Sequence, residues 1–231
     1  PVDDFIVTVN ENHPNKPQVW RVLLDKEFEA KLKIIKKDSE TKQSVLVANT
    51  EFKVFDLDRN KYVEQVTTYP VTKVHKSYFT DTNGYLILPN NLKVGNYRIE
   101  EVTAPDGYTL STNYVTVAVD TNTAYLMDAT SGDAVIEVEY ENESVKGELT
   151  IYKQGEMLTS YDKDFRYELF GLSGVTFNVY AAEDIFTADR QGTLIYGEDA
   201  LVATVVTDKD GYAKVTDLPL GKYYVKEASA P

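Results

Sequence analysis

The sequence contains no cysteine, which excludes disulfide bridges and cysteine-based zinc sites. A chain without disulfides needs some other staple, or none. Histidine is almost as scarce. His13 and His75 are the only two and lie far apart, so a histidine-rich metal site or a histidine-based triad has little to build on. No apolar run is long enough to cross a membrane, and no secretory leader is visible. The chain opens on Pro1 rather than Met, so it is expected to be part of a longer protein, and the missing targeting signals carry little weight. Basic residues are the rarer charge, 24 Lys and Arg against 37 Asp and Glu, for a net charge of −13. That balance argues against a nucleic-acid partner, whose phosphates need a basic patch, and against an anionic membrane surface. No cofactor and no metal are expected.

What the sequence does have is length for one or two cores, with 42% hydrophobic residues in 231. Its 17 tyrosines and many Val and Thr residues lean towards strands. Period-2 alternation bounded by turns is the clearest pattern. Leu32, Ile34 and Lys36 share one face of a predicted strand, and Phe52, Val54 and Asp56 share another. Asp81 to Gly84 predicts a turn in which Gly84 takes a positive φ. Further strands are predicted over Tyr85–Leu88, Val94–Ile99, Tyr114–Val119 and Val135–Tyr140, with a break at Ala104–Gly107. No convincing amphipathic helix is found; Ala181–Ala188 is expected at most to form a short helical turn.

The sequence also repeats itself. KLKIIKKD at 31–38 matches ELTIYKQG at 148–155, and NTEFKVFD at 49–56 matches GVTFNVYA at 174–181. TDTNGY at 80–85 matches TDKDGY at 207–212, and VGNYRIEEVTAP at 94–105 matches LGKYYVKEASAP at 220–231. Four matches in one order imply two copies of one domain. A partial third copy precedes them. Asp25 stands seven residues before Leu32, as Asn142 stands seven before Leu149 (32 − 25 and 149 − 142), and FIVTVN at 5–10 resembles YVTVAVD at 114–120. The expected organisation is therefore 1–30 as the last strands of a preceding domain, 31–145 as a complete domain, and 146–231 as a second copy lacking its last strand or strands.

Alternation also points at chemistry. In VIEVEYEN, Glu137, Glu139 and Glu141 can face solvent, which turns Asn142 inward. By the same logic Lys36 joins Leu32 and Ile34, and Glu101 joins Tyr97 and Ile99, on core-facing sides. Burying one such group unpaired costs several kcal/mol or shifts its pKa until it is neutral. Three together can solve the problem covalently. A neutral Lys36 amine is a nucleophile. A Glu101 carboxyl that keeps its proton can bond the Asn142 amide, sharpen the electrophilicity of its carbon and shuttle the proton to departing ammonia. The product is an amide crosslink between Lys36 and Asn142.

These segments, LKIIKKD, NYRIEEVTAPDGY and EYEN before a new KGELTIYK, resemble the CnaB-like (SpaA-type, prealbumin-like) domains of Gram-positive pilins and adhesins. The resemblance covers nearly the whole chain; its glutamate box is fairly specific and its lysine motif weak. It implies an all-β fold of tandem prealbumin-like or immunoglobulin-like sandwiches, and a Lys36–Asn142 isopeptide bond catalysed by Glu101. Lys153 and Glu227 hold the matching places in the second copy. It further implies a structural stalk on a Gram-positive cell wall or pilus, with neighbouring domains of the same parent as partners and no turnover beyond the single self-crosslinking. The alternative is a ligand-binding adhesin domain for host matrix or glycan, for which the insert at 182–200 is the candidate, or simply a long hairpin loop. Asp25 stands at an acceptor position, so residues 1–30 of one molecule could add as a strand to the open second copy of another and bring Asp25 to Lys153. Otherwise those front strands pack on the middle domain or stay loose.

Other signals weigh less. Glu100 and Glu101 are adjacent and would face opposite sides of a strand, which is no glycosidase pair. Asp81/Asn83 and Asp208/Asp210 recur at the same turn of both copies, which points to turn chemistry rather than calcium. Trp20 is expected in a core or interface. For Lys36 and Glu101 the plain reading is a buried ion pair without a covalent bond.

Overall fold

The computed structural model describes residues 27–162 and 164–230; Asp25, Trp20, His13 and the rest of 1–26 lie outside it. Among the described residues there are 21 strands and no helix. The first repeat contributes β1 (Glu29–Asp38), β2 (Glu51–Asp56), β3 (Lys61–Tyr62), β4 (Gln65–Thr67), β5 (Lys73–His75) and β6 (Tyr78–Phe79). It continues with β7 (Tyr85–Ile87), β8 (Leu92–Lys93), β9 (Gly95–Thr103), β10 (Val115–Val119), β11 (Leu126–Met127) and β12 (Ala134–Asn142). The second contributes β13 (Lys146–Tyr152), β14 (Gln154–Ser160), β15 (Arg166–Gly171), β16 (Thr176–Ala181) and β17 (Ile185–Phe186). It ends with β18 (Leu194–Tyr196), β19 (Leu201–Val206), β20 (Tyr212–Pro219) and β21 (Tyr223–Ser229).

Two five-stranded sheets make the first repeat, one in the order β11-β12-β1-β7 with β8 also on β1, the other β10-β9-β2-β3 with β6 also on β2. Alternation places the core. Along β1 every second residue from Ala30 to Asp38 is buried, and β2 follows the same rule from Phe52 to Asp56. Leu32, Ile34, Phe52, Val54, Ile99 and Ile136 meet between the sheets, each such burial stabilising by about 1.5–3 kcal/mol. β1 and β12 pair in parallel, from Ala30 opposite Ala134 to Asp38 opposite Asn142. The first and last strands of the repeat are thus neighbours, and β1 begins at Glu29, just ahead of the boundary expected at residue 31.

One turn recurs in both repeats. Asp81 Oδ1 accepts the Asn83 amide at 2.8 Å, and Asp208 Oδ1 accepts the Asp210 amide at 2.9 Å, so these carboxylates serve the backbone. Gly84 has φ 77°, and a Cβ there would lie 2.0 Å from the Val45 carbonyl oxygen.

The second repeat packs β19-β16-β21 against the pair β13-β20, over Val179, Val215 and Leu218. Among the described residues β13 pairs with β20 alone, with no counterpart of the β12 pairing seen in the first repeat. The short helical turn expected at Ala181–Ala188 does not form. Ala181 ends β16 with its amide on the Ala200 carbonyl, and Ile185–Phe186 is β17. Pairing with distant strands overrides the local helix preference of alanine.

The insert at 182–200 is a hairpin, β17-β18, that docks on the first repeat. Its Asp189 is fully buried. The Asp189 carbonyl accepts the Leu46 amide at 3.0 Å, and its carboxylate accepts Thr41 Oγ1 at 3.1 Å and Thr187 Oγ1 at 2.6 Å. Gln191 Nε2 donates to the Ser44 carbonyl at 2.7 Å, and Ala188 packs against Val45, Val47 and Tyr108. Side chains offered by the sequence as a ligand loop are occupied in a joint between repeats.

Candidate functional site

Three strands bring three polar side chains into the core of the first repeat. β1 carries Lys36 inward, β9 carries Glu101 and β12 carries Asn142, each on the face its alternation dictates. The Lys36 and Glu101 side chains are wholly buried, and Asn142 is 2% exposed. Lys36 Nζ donates to Asn142 Oδ1 and, at 2.9 Å, to the Tyr140 carbonyl. Asn142 Nδ2 donates to Glu101 Oε2 at 2.6 Å and to the Thr109 carbonyl at 2.7 Å. Glu101 Oε2 also accepts the Ser111 amide at 3.1 Å, while Oε1 stands 3.7 Å from Lys36 Nζ. That Oε1 is buried and makes no hydrogen bond among the described residues. The carboxyl therefore spans the lysine nitrogen and the asparagine nitrogen, the two atoms between which a proton would travel.

Electrostatics favour a reactive lysine. Burial strips water from the Lys36 ammonium and pulls its pKa from 10.5 to about 8, against the opposing pull of the Glu101 carboxylate. The Tyr140 ring lies 5.2 Å from Nζ and closes the pocket on that side. Beyond the site, Asp38 is buried and accepts the Glu40 and Thr41 amides and the Tyr108 hydroxyl. Burial works against its charge, but these bonds prevail and hold its pKa below the usual carboxylate value.

Lys153 and Glu227 meet as well, with Lys153 Nζ 2.8 Å from Glu227 Oε2. The backbone registers agree between repeats: Glu227 stands opposite Phe177 as Glu101 stands opposite Phe52, each beside an irregularity in the pairing. The environments differ. Lys153 and Glu227 are 33% and 37% exposed and have no asparagine beside them among the described residues. Asp25, the acceptor expected to reach Lys153 from another chain, lies outside the described residues.

The sequence did not point to the Thr109 carbonyl, the Ser111 amide or the Tyr140 carbonyl, because backbone groups carry no side-chain signature. It also left unmarked the β14-β15 ribbon. A length difference was the available signal: residues 156–173 stand where the first copy has only 39–48.

The sequence profile of the SpaA family, described as a prealbumin-like fold domain, matches residues 30–135 and 167–231. Comparison with curated proteins returns no match. Among solved structures, the Bacillus anthracis TIE protein is similar at 22% identity and TM-score 0.49, over 88% of this chain and 29% of that one. The group B streptococcus pilus 2b backbone protein is similar at 21% identity and TM-score 0.39, over 50% of this chain and 41% of that one. A streptococcal ancillary pilin is similar at 23% identity and TM-score 0.36, over 88% of this chain and 54% of that one. The chain thus spans less than a third of the first of these and less than half of the second.

Proposed function

The chain belongs to the SpaA family of prealbumin-like fold domains, and from that premise we propose that it is a structural spacer of a Gram-positive cell-surface or pilus protein, its first repeat stapled by a self-made amide. The observation that carries this reading is the buried contact of Lys36 Nζ with the Asn142 amide while Glu101 touches the departing nitrogen. In the reaction, neutral Lys36 Nζ attacks Asn142 Cγ. The new C–N bond replaces the bond from Cγ to Nδ2. Glu101 receives the proton that Nζ gives up and delivers it to Nδ2, which leaves as ammonia. A lysine amine and a primary amide become a secondary amide and ammonia, with no outside reactant. The reaction runs once per molecule, so the protein is a substrate of its own chemistry rather than an enzyme.

Intact-protein mass spectrometry tests this. The wild-type chain is expected one ammonia lighter than its sequence, with Lys36 and Asn142 peptides joined after digestion, and Glu101→Ala is expected at full mass. A wild-type chain at full mass would reduce the three residues to a buried polar cluster.

A further inference from the structure

Part of the bond-forming site is held by backbone that belongs to no strand. Residues 104–114 join β9 to β10 and carry no strand of their own. Yet this segment supplies the Thr109 carbonyl that takes Asn142 Nδ2 at 2.7 Å and the Ser111 amide that takes Glu101 Oε2 at 3.1 Å. Those two contacts aim the leaving nitrogen at the carboxyl. Irregular backbone keeps its place only through what anchors it. Two anchors lie within the first repeat: the Thr109 amide donates to the Glu143 carbonyl at 2.9 Å, and the Val145 amide donates to the Gly107 carbonyl at 2.8 Å. A third is the buried Tyr108 side chain.

Tyr108 is held from both repeats. Its hydroxyl donates to Asp38 Oδ2 at 2.7 Å, and it clusters with Val45, Val47 and Ala104 of the first repeat and with Ala188 of the β17-β18 hairpin in the second. The approach is close: a Cβ on Gly107 would stand 3.4 Å from Ala188 Cβ. The same hairpin reaches the lysine side of the site through Asp189. Asp189 Oδ2 accepts Thr41 Oγ1, and the Thr41 amide donates to Asp38 Oδ1 at 2.9 Å. The Asp189 carbonyl accepts the Leu46 amide, next to Val45, whose own amide donates to the Lys36 carbonyl at 2.9 Å. One hairpin thus braces the backbone of Lys36 and the segment that orients Asn142 and Glu101.

We propose that the β17-β18 hairpin of the second repeat is a positioning element for amide formation in the first, so that docking of one repeat sets the rate at which the other is stapled. This rests on the Lys36–Asn142 reading given above. The hairpin's hydrogen bonds into the first repeat go to Thr41, Ser44 and Leu46, none of them a reacting residue, so it acts on alignment. Reacting atoms must be held in a near-attack geometry, and a displacement of about 1 Å can cost on the order of a hundredfold in rate.

The test follows the unreacted whole chain, taken at full mass in denaturant and refolded by dilution. Circular dichroism reports folding, and intact mass reports loss of ammonia from molecules that have folded. In one variant residues 188–192 are replaced by Asn-Gly, a two-residue hairpin turn between Thr187 and Thr193, whose backbones already bond at 2.9 Å. Ala188, Asp189 and Gln191 leave together. The second variant, Ala188→Lys, keeps the hairpin at full length and wedges a long charged side chain against Tyr108. Wild type is expected to lose one ammonia, and both variants to fold and lose it roughly tenfold more slowly, or slower still. The slowing should be the same factor at each pH, with the rate still levelling near pH 8, because the hairpin sets geometry and not the charge of Lys36. A purely structural role would lower the fraction that folds and leave the rate of the folded molecules at the wild-type value. Variants that fold and react within twofold of wild type would overturn this proposal alone. A wild-type chain that folds yet stays at full mass would overturn it together with the Lys36–Asn142 reading.

Discussion

Replacing Glu101 by glutamine keeps the shape of the site and removes the group proposed to move the proton. The Ser111 amide and the Asn142 amide retain an oxygen to bond, so local packing survives. The amide should not form, and the unfolded chain regains the freedom of the loop from Lys36 to Asn142, whose ends are 106 positions apart. Chain-entropy arithmetic puts closure of a loop of that length at about 5 kcal/mol at 25 °C. For a domain of roughly this size, each kcal/mol moves Tm by about 4 °C, so Glu101→Gln should melt about 20 °C below wild type. Calorimetry of both proteins, each with its mass measured on the same sample, gives the comparison. If Glu101→Gln appears at full mass and wild type one ammonia lighter, yet the two melt within a few degrees, the entropic account of the staple is refuted. If both lack the ammonia, Glu101 is not the shuttle.

Other outcomes follow from the same geometry. A pKa of about 8 for Lys36 leaves about a tenth of the amine neutral at pH 7, some 300-fold more than at 10.5. Bond formation in a chain synthesised cell-free, held in denaturant and refolded by dilution should therefore quicken about tenfold per pH unit up to about 8 and then level, and a rate flat from pH 6 to 8 would count against the lysine being the titrating nucleophile. The sign for stability is set by a lowered lysine: stability rises with pH wherever the unfolded chain holds the proton that folded Lys36 has lost, so Glu101→Ala, whose lysine loses the counter-charge and falls below 8, should gain stability as pH rises from below 8 up to 10.5. Gly84→Ala forces a Cβ against the Val45 carbonyl at φ 77°, and should lower Tm of the uncrosslinked first repeat by about 8 °C or more, at about 2 kcal/mol. Asp189→Ala removes the bonds from Thr41 and Thr187 across and within the joint, so distances between spin labels placed one per repeat should broaden; an unchanged distribution would show that the joint does not rest on Asp189. Lys153→Ala should leave the mass deficit at one ammonia, because water reaches both Lys153 and Glu227; a denaturant-resistant dimer present in wild type and lost in this variant would instead reveal strand exchange with Asp25.

The strands and the polar trio were legible for one reason: a side-chain period of two. Once Leu32 and Ile34 face the core, Lys36 must follow, and the glutamates at 137, 139 and 141 fix Asn142 inward by the same parity. Sequence spacing could not show that β1 and β12 lie side by side in parallel, since partners 104 positions apart leave no local trace. Nor could it show the joint. Asp189 reads as an ordinary turn residue, and its burial depends on Thr41 and Leu46 in another domain. The helical expectation at Ala181–Ala188 failed for the complementary reason: alanine content is a local signal, whereas β16 is held by β19 and β21.

The position of the proposed amide matters as much as its strength. Tension on a spacer enters the first repeat at Glu29 and leaves it at Lys146, where β13 begins. Without a crosslink, that tension must pass through the β1-β12 pairing, nine residue pairs loaded in shear. With Lys36 joined to Asn142, it runs down β1 to Lys36, crosses one covalent bond and exits from Asn142 into the second repeat. Residues 37–141 then hang off the path and carry no load. With the bond at Lys36, Glu29 to Lys36 carry the load along their own backbone, and its transfer to β12 no longer rests on the hydrogen bonds between the two strands. The same logic explains why a buried lysine that costs stability before reaction suits a spacer: the cost ends when the amide forms, and the load-free loop it creates is the whole remaining fold of the repeat.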